Sequence, residues 1–171
     1  MEKFYCKKIK SLTPDFKKII EGIFWVTSGK KESDFSSKES RDDFVNAYLN
    51  FYLDKGEVFI STLDGEIVGY ILLHHNTSQL LTNPIIKNNY QAFNEELKSY
   101  PVSLHINISP NVQGKGVGSR LLKHALNFRS SLNKVHLITH HKARNVEFYS
   151  RLGFQKLKVD QNGLLFLGID D

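Results

Sequence analysis

Between Ser103 and Leu122 the chain reads SLHINISPNVQGKGVGSRLL: an alternating, largely apolar stretch, a turn crowded with Gly114, Gly116 and Gly118, then a helical pattern. A strand that runs through a glycine-rich turn straight into a helix leaves few folds open. It demands a sheet with at least one helix packed beside it. It also creates a chemical opportunity. The first amides of a helix have no acceptor within the helix, and the helix dipole is positive there, so such a turn can hold a phosphate. Glycine lets the backbone come close to a pyrophosphate without a Cβ in the way. The ligand class this suggests is one that contains a nucleotide.

Two nucleotide motifs do not fit. A P-loop needs Lys and then Ser or Thr after its last glycine, whereas Gly118 is followed by Ser119 and Arg120. The dinucleotide fingerprint needs Gly-x-Gly-x-x-Gly after the first strand of a βαβ unit, with an acidic residue ending the next strand. Here the glycines are two apart, they lie past mid-chain, and no such acid follows.

What remains is Gln113-x-x-Gly116-x-Gly118. It resembles the acetyl-CoA signature of the Gcn5-related N-acetyltransferases, the GNAT superfamily, written Gln/Arg-x-x-Gly-x-Gly/Ala. Downstream come a short strand, Lys134–Thr139 (KVHLIT), then Arg144-Asn145-Val146-Glu147-Phe148-Tyr149 and Arg151-Leu152-Gly153-Phe154. That order is similar to the second half of the family: fourth strand, pyrophosphate loop and helix, fifth strand, and a helix ending in Tyr-x-x-x-Gly-Phe. The resemblance is specific over Pro101–Phe154 and architectural before it. It implies an α/β fold with a mixed, mostly antiparallel central sheet flanked by helices, its parallel fourth and fifth strands splayed apart.

The resemblance also implies an activity: transfer of an acetyl group from acetyl-CoA to a primary amine, by direct attack in a ternary complex. Asn107, Ile108 and Ser109 would line the pantetheine arm. Gln113, Gly114, Lys115, Gly116, Val117, Gly118 and Ser119 would hold the pyrophosphate. Asn145, four residues before Tyr149, would bond the pantetheine amide; the commoner family spacing is seven, a position that Lys142 fills here. Tyr149 matches the tyrosine that protonates the leaving thiolate, a sensible donor with a phenol pKa near 10. The alternative for Tyr149 is a core tyrosine between Phe148 and Phe154.

The general base has no carboxylate to carry it. Related strands read Leu-His-Ile-Asp; this one has Asn107 where that Asp would stand. His105 shares a strand face with Asn107 and Ser103 and is the candidate base, with a water as its rival and His74, His75, His140 and His141 as the other candidates. The missing carboxylate keeps a second reading in view: a non-catalytic protein that binds acyl-CoA or scaffolds a partner. His74, His75, His140 and His141 end predicted strands. Neighbours on a strand point to opposite faces, so each pair offers one metal ligand, and no Cys set or His-x-x-x-His accompanies them; no metal is expected.

Size and composition agree with one soluble domain spanning 1–171, with 40% hydrophobic and 24% charged residues. The lone Cys6 forms no internal disulfide, and MEKFYCKKIK has no apolar core of a signal peptide, so a cytoplasmic location is expected. No apolar run reaches membrane-spanning length, so no membrane partner is expected. The net charge of +5 lacks an Arg-rich or aromatic-interleaved stripe, so nucleic acid is not expected either; it suits a polyanionic coenzyme. The remaining partner is a small-molecule or peptide amine, with the chain a monomer or homodimer.

Ahead of the motif, Phe4–Lys10 is a strand, and Thr13-Pro14-Asp15 opens a helix to about Trp25 with Phe16, Ile19, Ile20, Ile23 and Phe24 inward. Ser28–Ser40 is polar and expected to be a mobile loop. A helix over Ser40–Leu53 would turn Phe44, Ala47, Tyr48 and Phe51 inward. Asp64-Gly65 joins two strands as a hairpin. Asn76–Tyr100, 25 residues where the family has a tight join, is either a lid or specificity element or a solvated loop, with a short helix at Asn89–Lys98. The helix after the glycines has Val117, Leu121, Leu122, Ala125 and Leu126 inward and Arg120, Lys123, His124 and Arg129 outward. Phe154–Val159 and Gly163–Gly168 close the chain as a hairpin.

Overall fold

The hairpin at Asp64-Gly65 anchors the first sheet segment. Both residues have positive φ, 49° and 94°, the pair of left-handed conformations that matches the twist of the flanking strands. It joins β2 (Glu57–Leu63) to β3 (Glu66–His74), and β1 (Phe4–Ile9) pairs antiparallel with β2 from Phe4↔Leu63 to Ile9↔Val58. The computed structural model describes residues 4–128 and 134–170. Over these the strands follow the order β1-β2-β3-β4-β5-β7-β6, where β4 is Val102–Ile108, β5 Val135–His140, β6 Gln155–Val159 and β7 Leu164–Ile169. The chain divides into two compact units, Met1–Leu73 with His105–Arg129, and His74–Leu104 with Ser130–Asp171.

In the first unit, α1 (Pro14–Thr27) starts as its sequence requires. The Thr13 hydroxyl accepts from the amide of Phe16 at 3.3 Å, and Pro14 takes a position where its missing N–H costs nothing. Ile20, Ile23 and Phe24 are buried, but Ile19 is 45% exposed. At 100° per residue Ile19 falls on the border of the apolar stripe, which centres on Ile20 and Ile23. The segment expected to be a loop contains a short 3₁₀ turn at Glu32–Asp34, and Ser37 caps the next helix through the amide of Ser40.

That next helix corrects the inward face expected for it. It runs as α2 (Lys38–Val45), a π-helical turn over Asn46–Asn50, and α3 (Phe51–Lys55). A π turn adds a residue to the coil and rotates everything after it. Val45, Ala47, Leu49, Tyr52 and Leu53 are buried, while Phe44, Tyr48 and Phe51 are only half-buried. The helix α7 (Val117–Phe128) packs on β1 and β2 through Val117, Leu121, Leu122 and Ala125. Leu126 is half-buried, and so is His124, which sits against Phe59 and Phe128 rather than in solvent. Arg129 lies outside the described residues.

The second unit holds the 25-residue excursion, and the solvated-loop alternative fails there. It folds as α4 (Thr77–Leu80), α5 (Pro84–Tyr90), a 3₁₀ turn at Gln91–Phe93 and α6 (Asn94–Ser99). Asn83 caps α5 by accepting from Ile85 and Ile86 at 2.9 and 3.3 Å. Leu80, Ile86, Tyr90, Phe93, Leu97 and Tyr100 are all buried. Phe93 and Tyr100 pack edge-on or tilted against Phe166 of β7. A buried polar chain fastens the helices to the sheet: the Tyr90 hydroxyl meets Ser103 Oγ at 3.1 Å and His136 Nε2 at 3.3 Å, while His136 Nδ1 donates to the Tyr100 carbonyl at 2.6 Å.

In the same unit β4 and β5 are parallel, paired at Val102↔Val135 and Ser103↔His136. Across its other edge β5 pairs antiparallel with β7 along its whole length, and β6 closes as a hairpin on β7. Asp160 shapes that hairpin by accepting from the amides of Asn162 and Leu164, both at 2.8 Å. The fold is thus α/β with a mixed, mostly antiparallel seven-stranded sheet flanked by helices.

Candidate functional site

The glycine-rich turn belongs to the first unit and begins at the end of β4. Ser109 donates its amide to the Val68 carbonyl at 2.8 Å, which holds the strand end beside β3. A 3₁₀ turn over Pro110–Val112 then redirects the chain, and Gln113 is extended. Gly114 and Gly116 adopt φ of 79° and 75°, where an L side chain is strained. A Cβ at either would meet nothing of the protein within 4 Å, so the concavity is open. The first helix-type bond runs from the amide of Arg120 back to the Gly116 carbonyl at 3.1 Å. The amides of Val117, Gly118 and Ser119 stand before it, at the positive end of a 12-residue helix.

Two side chains brace this loop. Gln113 Nε2 donates to the Ile108 carbonyl at 2.8 Å, tying the turn to the strand that feeds it. Arg120 donates to the Lys115 carbonyl at 3.4 Å, and its guanidinium lies 4.4 Å from the centre of the Phe4 ring. Lys115 and Arg120 are exposed and place positive charge around the turn. Open backbone amides, glycines in a left-handed conformation and two cations fit a pyrophosphate. Arg120 was expected only as an outward helix residue; its place two beyond Gly118 carried no signal of a bracing role.

On β4 itself, His105 and Asn107 are brought together, and β3 contributes a residue that sequence reasoning missed. Asn107 Nδ2 donates to the Tyr70 hydroxyl at 2.7 Å and lies 3.0 Å from His105 Nε2. With that amide as donor, Nε2 is the acceptor and the His105 proton sits on Nδ1. Tyr70 stacks near the His105 ring at 6.1 Å, and Phe24 and Tyr52 flank it at 6.2 and 6.0 Å. Burial among these rings pushes His105 down to about 4, so it is neutral at pH 7. Burial also pushes the fully buried Tyr70 phenol up. The oxygen of the Asn107 amide takes no partner among the described residues. No sequence pattern points to Tyr70, because strand pairing alone makes it a neighbour of Asn107.

The second unit places the other two candidates on α8 (Val146–Arg151) and its start. Asn145 occupies the cap position; its carbonyl accepts from the Tyr149 amide at 3.1 Å, and its Oδ1 accepts from Thr139 Oγ1 at 3.2 Å. Tyr149 is buried edge-on to Phe148 and Phe154, and burial pushes its phenol pKa up. It therefore stays protonated throughout the neutral range. Its hydroxyl takes no partner among the described residues.

The terminal histidines do not point apart as strand alternation suggests. His141 lies beyond the end of β5, and its ring stacks on His140 at 4.7 Å. His141 Nδ1 donates to the Gly163 carbonyl at 2.9 Å, and the amide of Lys142 donates to His140 Nδ1 at 3.2 Å. His74 is buried, its Nδ1 accepting from the amide of Asn76 at 3.2 Å. Among the described residues no group of three or more His, Cys, Asp or Glu gathers to hold a metal ion. Among them, too, no helix is long and apolar enough to cross a membrane.

Residues 54–156 match the family model described as an acetyltransferase (GNAT) domain. No curated protein matches the chain in sequence. Among solved structures, PH1933 from Pyrococcus horikoshii OT3 is similar with a TM-score of 0.73 and 17% identity, covering 99% of both chains. SsHAT is similar with a TM-score of 0.67 and 22% identity, over 95% of this chain and 96% of that one. The ribosomal-protein-S18-alanine N-acetyltransferase from Escherichia coli follows with a TM-score of 0.59 and 14% identity, over 99% of this chain and 93% of that one. At these identities the structures speak for the fold.

Proposed function

The chain belongs to the GNAT acetyltransferase family, and from that premise we propose that it is an acyltransferase carrying acetyl from acetyl-CoA to a primary amine of a small molecule or peptide. The observation that carries the reading is the turn at Gln113–Ser119: two glycines in a left-handed conformation, open space where side chains would be, and unpaired amides at the start of α7. Lys115 to Ser119 would hold the pyrophosphate, with Gln113 keeping the turn in register through Ile108. Asn107, Ile108 and Ser109 would line the pantetheine arm, and Asn145 would meet its amide.

Acetyl-CoA supplies an activated thioester: a C–N bond forms to the amine as the C–S bond breaks. Tyr149 supplies the proton that the departing sulfur takes. Its raised pKa keeps that proton in place at neutral pH and makes the phenol a donor rather than a base. The amine's own proton must leave to an acceptor. His105 is neutral and has a lone pair only at Nε2, which faces Asn107, so a solvent water is the better base.

That same geometry favours one rival reading, a protein that binds acyl-CoA without turning it over, because β4 offers no titrating carboxylate. Calorimetric titration of acetyl-CoA into the wild type and Gly116→Glu tests the proposal. Saturable binding that disappears in the variant supports the coenzyme site; no binding to the folded wild type refutes it. Thiol release that depends on an added amine then separates the transferase from the silent binder.

A further inference from the structure

One part of the first unit has no role in the reading above: a run of aromatic rings on α1, the loop after it and α2. Trp25, Phe35, Phe44 and Tyr48 are all half-buried rather than packed away. Phe35 lies 6.0 Å from Trp25 and 5.4 Å from Phe44, and Phe44 lies 4.8 Å from Tyr48. The run continues inward through buried Phe24, 5.6 Å from Phe44, and Phe24 in turn flanks His105 at 6.2 Å. An apolar surface of this kind, partly open and leading to a few polar atoms, is the usual form of a small-molecule site.

The polar end is neutral. His105 carries no charge at pH 7, and Asn107 has its amide nitrogen fixed by two bonds and its oxygen open. Three charged groups along the aromatic run are engaged with it or with one another. Glu21 accepts from the Trp25 indole N–H at 3.2 Å, and Arg41 lies over the Trp25 ring at 4.6 Å while pairing with Asp42 at 3.4 Å. A polycation would meet the Arg41 charge over Trp25.

We propose that the acceptor is a monoamine carried on an aromatic body, with the half-buried rings of Trp25, Phe35, Phe44 and Tyr48 taking the body and the open amide oxygen of Asn107 taking an amino N–H. The proposal rests on the acetyltransferase reading and names its substrate class. Rings offer a large, rigid contact area at small entropic cost, and the neutral oxygen orients a nitrogen while favouring its ammonium form less than a carboxylate would.

The chain contains one tryptophan, and it lies in this run, so its fluorescence reports the site directly. The test titrates 2-phenylethylamine and, separately, spermidine, following Trp25 emission in the wild type, Phe44→Ala and Phe35→Leu, each checked for folding by circular dichroism. The expected result is saturation by phenylethylamine, no saturation by spermidine, and about tenfold weaker binding in Phe44→Ala, with a smaller loss in Phe35→Leu. Phenylethylamine should also accelerate thiol release from acetyl-CoA where spermidine does not. Saturation by both amines alike, or by neither, overturns the proposal, as does unchanged affinity in both folded variants. Calorimetry with acetyl-CoA keeps the two readings apart: phenylethylamine binding without acetyl-CoA binding would uphold the aromatic site and sink the transferase.

Discussion

His136 is fully buried at the start of β5, stacked on Phe166 at 4.8 Å and bonded at both ring nitrogens. Burial is the main reason its pKa falls from 6.5 to about 4; the carbonyl acceptors at Tyr100 and Val102 work weakly the other way. The consequence for stability has a definite sign. Between these two values the unfolded chain binds a proton that the folded chain refuses, so stability drops as pH falls from 6.5 toward 4 and levels off below. At pH 5 the loss from this one group is about 2 kcal/mol, approaching about 3 kcal/mol at lower pH. Replacing His136 with Gln keeps a donor for the Tyr100 carbonyl and removes the titration. Urea unfolding at pH 7.5, 6 and 5, followed by circular dichroism, compares the two proteins. His136→Gln should be less stable at pH 7.5, having lost its stack on Phe166, yet lose about 2 kcal/mol less than the wild type on going to pH 5. Identical pH slopes in both proteins would refute the reasoning.

Three further outcomes are expected. Tyr149→Phe should lower the rate of amine-dependent thiol release by about a hundredfold while leaving calorimetric acetyl-CoA affinity within about twofold, since only the proton donor is removed. Asn107→Asp sets a carboxylate beside His105 Nε2, now 3.0 Å from the amide nitrogen; the His105 pKa should rise from about 4, visible in ring-proton shifts against pH by magnetic resonance. Gly56→Ala would drive a Cβ to 2.5 Å from the Leu73 carbonyl oxygen and 2.6 Å from that of Tyr52. Neither backbone oxygen can swing aside, so a loss of about 1–3 kcal/mol should appear as a lower melting temperature.

The parts of the fold that were legible in the sequence are those written in short-range chemistry. Thr13-Pro14 marks a helix start, Asp64-Gly65 demands a hairpin, and Gln113–Gly118 can be little but a turn into a helix; each is a local conformational requirement carried by the residues that meet it. Tyr48 and Phe51 were misread as inward because a π turn leaves no residue signature in Asn46–Asn50 and rotates the side chains that follow its start. Of the helices after His74 the one at Asn94–Ser99 overlaps the short helix expected at Asn89–Lys98, whereas those at Thr77–Leu80 and Pro84–Tyr90 were missed because four and seven residues are too few for a period to emerge. The candidate site divides along the same line. The glycine turn is local and was read residue by residue. The bond from Asn107 to Tyr70 spans 37 positions, and the one from His136 to Tyr90 spans 46, so neither leaves a mark in any window of sequence.

The helical excursion from Thr77 to Ser99 sets a limit on how this chain can be remodelled. By length and position it resembles an ornament that a protein engineer would trim back to a turn. Its rings nevertheless cover Phe166, its Tyr90 satisfies two buried polar groups, and Lys158 on the last hairpin reaches back to the Ala92 carbonyl at 2.6 Å. Trimming would take from Ser103 and His136 the bonds that each makes to the Tyr90 hydroxyl and uncover the ring of Phe166 beneath. A version of this chain trimmed here should therefore need compensating changes at positions 103, 136 and 166.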